Sequence, residues 1–149
     1  MYHAVKSDFE KVKEIFYLHK KWFPHVRTDY MKRMIAKKNL ILENDVVITY
    51  NFYKRKQKIG DIQAFKGDCI LHQIVAKTKG TASDVLQRFF KFVNHNPLGK
   101  RVYLSVRSDN EMAKNFYLKN NMKLIGKTSW SKGTLPGDVF VHDPWTYET

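Results

Sequence analysis

Sulfhydryl chemistry is almost missing from this sequence. Cys69 is its only cysteine, so no disulfide can close within the chain and no cysteine-rich zinc site can be assembled. The six histidines (His3, His19, His25, His72, His95, His142) are scattered and form no HExxH pair, so no metal is expected. Long apolar runs are missing too. Nothing approaches the roughly 18 apolar residues of a membrane span. The opening stretch MYHAVKSDFEKVKE mixes charge with apolar residues where a signal peptide would have an apolar core. The expected setting is therefore cytoplasmic, with no membrane partner. Repeats, low-complexity stretches and linkers are also lacking, and 149 residues read as one domain, 1–149.

Acidic residues are scarce as well: 14 against 27 Lys and Arg, for a net charge of +13. Residues 1–60 alone hold 14 basic and 6 acidic side chains. Such an excess reads either as a surface for nucleic acid or another polyanion, or as a solvated basic exterior. Hydrophobic residues make up 43% and aromatics 14% of the chain, which calls for a packed core.

The periodicity predicts the elements. YHAVK reads as a short strand. Ser7 then caps a helix with Glu10 as its capping-box partner, and Phe9, Val12, Ile15, Phe16, His19 and Phe23 form its apolar stripe up to Pro24. A second helix starts near Thr28 or Asp29, with Tyr30, Met31, Met34 and Ile35 inward and Lys32, Arg33, Lys37 and Lys38 outward. LILENDVVITYNFYKR is a hairpin turning at Asn44-Asp45, followed by a basic loop, KRKQKIGD. CILHQIVA (69–76) is nearly all apolar, as a central strand should be. The next helix buries Val85, Leu86, Phe89, Phe90 and Val93 and ends before NPLGK. RVYLSVR is a strand, and Ser108 caps a further helix with Glu111 as partner. KLIGKTSW and DVFVHD close the chain as strands. The order β-α-α-β-β-β-α-β-α-β-β predicts an α/β (α+β) mixed sheet, in which the crossover between 69 and 106 makes two strands parallel.

Two stretches carry chemistry. AKTKGTASD has neither the GxxxxGK[ST] nor the GxGxxG pattern. It does place backbone N–H groups of residues 79–83 at a helix N-terminus, where anions are held by those groups and the helix dipole. Gly80 and Ala82 keep the approach clear, Lys77 and Lys79 add charge, and Thr81 and Ser83 offer hydroxyls. A pyrophosphate fits this description, as does ordinary capping. In NEMAKNFYLKNN, Asn110, Ala113 and Tyr117 are three and four apart and share a helix face. A slender ligand could lie across the small residue toward the phenol. A plain core helix is the competing reading.

Taken together, the two stretches resemble the Gcn5-related N-acetyltransferase (GNAT) superfamily, over essentially the whole length and element order. Lys77, Gly80 and Ala82 take the marked positions of its (Arg/Gln)-x-x-Gly-x-(Gly/Ala) loop. Asn110, Ala113, Phe116, Tyr117 and Lys119 match its asparagine–alanine–Phe-Tyr–lysine helix. The resemblance implies a GNAT-like fold and acetyl-CoA as co-substrate, its pyrophosphate on the loop and its pantetheine along the helix. It further implies Tyr117 as the acid for the departing thiolate, and a bulge turning the backbone N–H groups of Gln73, Ile74 and Val75 toward the thioester. The family's frequent central-strand glutamate has no counterpart here, which leaves His72, Asp68 and Ser105 as candidates for base or water relay. The implied acceptor mouth is flanked by Lys20, Lys21, Arg27, Lys32, Arg33, Lys37 and Lys38. It favours a polyanionic acceptor, RNA or DNA included, over a cationic one. The expected state is monomer or homodimer. The competing function is a nucleic-acid-binding module on the same fold with degraded catalysis.

Overall fold

The computed structural model describes residues 1–95 and 100–144. The NPLGK stretch, apart from Lys100, lies outside them. Four helices and eight strands are described: α1 (Phe9–Tyr17), α2 (Thr28–Ala36), β1 (Leu40–Glu43), β2 (Val46–Phe52), β3 (Gln57–Ile59), β4 (Ile62–Ala64), β5 (Cys69–Ala76), α3 (Ala82–Asn94), β6 (Val102–Arg107), α4 (Glu111–Lys119), β7 (Lys123–Trp130) and β8 (Leu135–His142). Six strands form a mixed sheet in the order β1-β2-β5-β6-β8-β7, and β3 and β4 form a separate pair. β5 and β6 run parallel across the α3 crossover, in a register comprising Cys69 with Val102 and Ile70 with Tyr103. The expected mixed α/β architecture is present.

By compactness the chain divides into two units, Met1–Tyr50 with His72–Arg88, and Asn51–Leu71 with Phe89 onward. The first has its own apolar core. Val12, Ile15 and Phe16 of α1 meet Met31, Met34 and Ile35 of α2, with Leu40, Leu42, Val47 and Val75 from the strands. Each such side chain contributes about 1.5–3 kcal/mol on burial. The β1–β2 turn falls at Asn44 and Asp45, both left-handed (φ 50° and 59°), as a two-residue hairpin requires. In the second unit Ala64, Tyr103, Val139 and Val141 pack with Tyr53, Ile59, Ile62 and Ile70.

Several expectations are corrected. Residues 2–6 form no strand but a single bridge, His3 to Ile41. The Asp8 carboxylate accepts the Val5 N–H at 2.9 Å and the Tyr2 hydroxyl at 2.7 Å, and Lys6–Asp8 coils into a 3-10 turn. Ser7 lies inside that turn and caps nothing; Asp8 holds the N-cap position of α1. α1 stops at Tyr17, where i→i−3 bonds replace helical ones, and the His19 ring bonds the Ala76 carbonyl at 2.8 Å. α2 stops at Ala36 because Lys38 is left-handed (φ 58°), so Lys37 and Lys38 follow the helix instead of lining it. The basic connector is the β3–β4 hairpin, turning at Gly60 (φ 60°). It is seated by the Asp61 N–H on the Lys127 carbonyl (3.1 Å) and the Lys127 N–H on the Asp61 carboxylate (2.9 Å). A Cβ at Gly126 would collide with Asp61 and Ile62.

Candidate functional site

In the first unit, Gly80 turns the chain into α3 with φ 96°, and a Cβ placed there would meet nothing within 4 Å. Backbone torsion, not crowding, therefore makes this a glycine position. α3 begins at Ala82, so its unpaired N–H groups open beside Thr81, Ala82 and Ser83. Thr81 donates its hydroxyl to the Thr78 carbonyl at 2.9 Å. Lys77 donates its N–H to the Asp45 carbonyl at 2.9 Å, and its ammonium pairs with Glu14 at 3.1 Å. Lys79, Gly80 and Ser83 are exposed. Asp84 in the first turn of α3 pairs with Arg88 and already complements the helix dipole.

β5 alternates without a break. Cys69, Leu71, Gln73 and Val75 are buried, and Ile70, His72, Ile74 and Ala76 are more open. The paired register of β5 with β6 comprises Cys69 and Ile70, ahead of residues 73–75, and the β7–β8 ladder carries a register shift between Leu124 and Gly126. Gln73 anchors a network that the sequence reading missed. Its Oε1 accepts the Tyr30 hydroxyl at 2.9 Å and a short bond from the Thr49 hydroxyl. The signal in the sequence was an amide inside a strand that is otherwise apolar except for His72. Burial raises the Tyr30 pKa, so its hydroxyl stays a donor. His72 sits on the opposite side of the strand and is exposed. Loss of solvation lowers its pKa, a matter of crowding by neighbours and not enclosure. Lys32, Arg33, Lys37 and Lys38 are all exposed. Lys32 lies over the Phe9 ring at 4.8 Å and Arg33 over the Tyr30 ring at 5.7 Å.

In the second unit Asn110 is the N-cap of α4, its side-chain oxygen accepting the Ala113 N–H at 3.2 Å. The expected cap, Ser108, instead donates its hydroxyl to Asp138 at 3.1 Å. A buried carboxylate outcompetes the helix end for that hydroxyl. Tyr117 is 8% exposed, its ring against Phe140 and Phe116 at centroid distances of 5.7 and 5.6 Å. Burial raises its pKa. At neutral pH the phenol is protonated, the form a general acid needs. Asp68 is buried, and its carboxylate accepts the Phe65 N–H at 2.9 Å and the Arg101 N–H at 3.4 Å. Ser105 is half-buried on β6, opposite Val139 of β8. Among the described residues no His, Cys, Asp or Glu cluster is placed to hold a metal, and no helix is long and apolar enough to cross a membrane.

No family model and no curated protein sequence matches the chain. Solved structures do. A GNAT-family acetyltransferase from Bacillus cereus aligns at TM-score 0.68 and 17% identity, over 95% of this chain and 94% of that one. The ribosomal-protein-alanine N-acetyltransferase of Brucella melitensis aligns at 0.70 and 10%, over 95% and 98%. Arabidopsis thaliana NAA60 in complex with acetyl-CoA aligns at 0.69 and 13%, over 95% and 97%. The chain has the fold of the Gcn5-related N-acetyltransferases.

Proposed function

We propose that this chain, as a single domain over 1–149, is an N-acetyltransferase that moves an acetyl group from acetyl-CoA to an amine. The observation that carries the reading is the glycine turn into α3. Gly80 is left-handed with open space where a side chain would be, so a pyrophosphate can approach the N–H groups of residues 79–83 closely. Lys79 adds charge there, with Lys77, Thr81, Ala82 and Ser83 around it. Asn110, Ala113 and Tyr117 take the pantetheine arm. In the reaction the acceptor nitrogen bonds to the thioester carbon, the carbon–sulfur bond breaks, and the nitrogen releases a proton. Tyr117 gives its proton to the sulfur and is reprotonated from solvent. Backbone N–H groups at Gln73, Ile74 and Val75 steady the oxyanion. His72 is the preferred base, ahead of Asp68, whose carboxylate is occupied, and Ser105.

The acceptor is polyanionic in this reading, an amine on RNA or DNA included. Support comes from the exposed Lys32, Arg33, Lys37 and Lys38, which draw in negative charge. Calorimetry with acetyl-CoA tests the core of the proposal. Saturable binding is expected, and its absence would favour a nucleic-acid-binding module without catalysis. Mass spectrometry of candidate acceptors incubated with labelled acetyl-CoA then tests transfer.

A further inference from the structure

The β3–β4 hairpin of the second unit turns a basic and aromatic face outward. Its register pairs Gln57 with Ala64, Lys58 with Gln63 and Ile59 with Ile62. Ile59, Ile62 and Ala64 pack into the apolar core of that unit, and neighbouring side chains on a strand alternate. Lys58 and Gln63 therefore face away from the core. One step beyond Gln57 and Ala64, the same alternation carries Lys56 and Phe65 to the outer face. There the Lys56 ammonium lies over the Phe65 ring at 5.9 Å, and Phe65 is 51% exposed.

Charge on this segment is one-sided. Residues 51–71 hold five basic side chains (Lys54, Arg55, Lys56, Lys58 and Lys66) against two acids, Asp61 and Asp68. All five are exposed, and none forms an ion pair among the described residues. Both acids are engaged elsewhere, Asp61 by the Lys127 N–H and Asp68 by the N–H groups of Phe65 and Arg101. Tyr53 donates to the Asp68 carbonyl and accepts from the Gly67 N–H, each at 2.8 Å, which lays Lys54 beside Lys66. Lys100 leans on Gly67, its ammonium 2.6 Å from where a Cβ there would sit.

Gathered cations repel one another and draw a polyanion. Lys56 and Lys58 are about 7 Å apart along the strand, on the scale of successive phosphates in an extended single strand. A ring set among them is a platform on which an unpaired base stacks, whereas a duplex keeps its base faces covered. A bilayer would call for an apolar apex. Here the apex is Gly60-Asp61, tied to Lys127, and Phe65 sits at the open end of the hairpin. We propose that this face binds single-stranded nucleic acid, with a base on Phe65 and phosphates on Lys56, Lys58 and Lys66. The site uses none of the acceptor-face or cofactor residues, so it stands or falls apart from acetyl transfer.

The test is nuclear magnetic resonance on the full isotope-labelled chain. It is titrated separately with a short oligothymidylate, base-free inorganic polyphosphate and phosphatidylserine vesicles. Affinity is read from the backbone peaks of residues 54–66, so binding elsewhere on the chain does not enter. These peaks should shift saturably with oligothymidylate. Phe65→Leu keeps an apolar side chain but removes the stacking ring. It should lose oligothymidylate affinity roughly tenfold and keep its polyphosphate affinity. Lys56→Gln and Lys58→Gln should weaken both ligands, each lowering the slope of log affinity against log salt by roughly 0.7. Lys91→Gln, on an exposed lysine of α3, should leave the response of the hairpin peaks unchanged. The proposal is overturned if oligothymidylate does not shift these peaks saturably, if Phe65→Leu binds it as tightly as wild type, or if Lys91→Gln weakens it as much as the hairpin variants. A response to vesicles alone would make the face a membrane surface and overturn the proposal as well.

Discussion

Replacing Asp138 with asparagine removes one negative charge from a buried position of the second unit. The Asp138 side chain is fully buried. Lys127 reaches it at 2.6 Å, Lys114 at 3.0 Å and the Ser108 hydroxyl at 3.1 Å. Lys127 above all, then Lys114 and Ser108, hold its carboxyl at about 2 against the opposing effect of burial, down from an ordinary 3.8. A fall of nearly two units is worth about 2.5 kcal/mol of stability. Because the folded pKa is the lower one, this contribution is complete above about pH 4 and is lost as pH falls through about 2. Asp138→Asn should therefore cost about 2.5 kcal/mol at pH 6, or roughly 5–10 °C in Tm. Its deficit against wild type should shrink steadily below pH 4. Lys127 is 69% exposed, so part of the deficit should also fade as salt is added. The assay is urea unfolding followed by tryptophan fluorescence between pH 2.5 and 6. A deficit that stays constant across that range would assign the loss to packing and refute the ionic argument. No deficit at pH 6 would refute it outright.

Gly80→Val should cost about 1–2 kcal/mol through its forced left-handed torsion and weaken acetyl-CoA binding measured by calorimetry. Unchanged affinity would remove the loop from the cofactor site. Tyr117→Phe should fold normally and lose roughly tenfold or more in kcat, and an unchanged rate would leave Tyr117 as a packing residue. His72 has a lowered pKa, so its neutral form persists below pH 6.5. If it is the base, the acidic limb of kcat/KM should lie below that value and disappear in His72→Gln. Reversing Lys32, Arg33, Lys37 and Lys38 to Glu should abolish salt-sensitive RNA or DNA binding at their face while acetyl-CoA binding survives. Failure of the wild type to bind either nucleic acid at low salt would make that face merely solvated.

Much of this fold was legible because its signals are local. The apolar run at 69–76 is β5 residue for residue, and Val85, Leu86, Phe89, Phe90 and Val93 are buried on α3. The Asn44-Asp45 pair turns the hairpin with the torsions its chemistry favours. What stayed hidden depends on distant partners. Three-residue strands rich in Lys and Gln carry no pattern of their own, and β3 and β4 exist because Asp61 and Lys127 exchange hydrogen bonds 66 residues apart. Ser108 looks like a cap until Asp138, 30 residues on, claims its hydroxyl. The candidate site divides the same way. The Gly80 turn is a property of one residue's torsions and could be read directly. The Gln73 network follows only once the Tyr30 and Thr49 hydroxyls are seen to meet on its carbonyl oxygen.

The parity of β5 then limits which chemistry each face of the strand can perform. Neighbouring side chains point to opposite faces, so Gln73, buried among Tyr30 and Thr49, and the exposed His72 cannot serve the same side. A carboxamide donates hydrogen bonds but takes no proton in the working pH range. An amine reacting on the Gln73 face must therefore arrive already neutral, and the pH dependence of kcat/KM would track the acceptor's own pKa from one substrate to the next. An amine reacting on the His72 face meets a group that can remove its proton, and the limb would belong to the protein whatever the acceptor. Asp68 precedes β5 and spends its carboxylate on the backbone N–H groups of Phe65 and Arg101. One pH profile, taken with two acceptors of different basicity, thus reports which face of a single strand the chemistry uses.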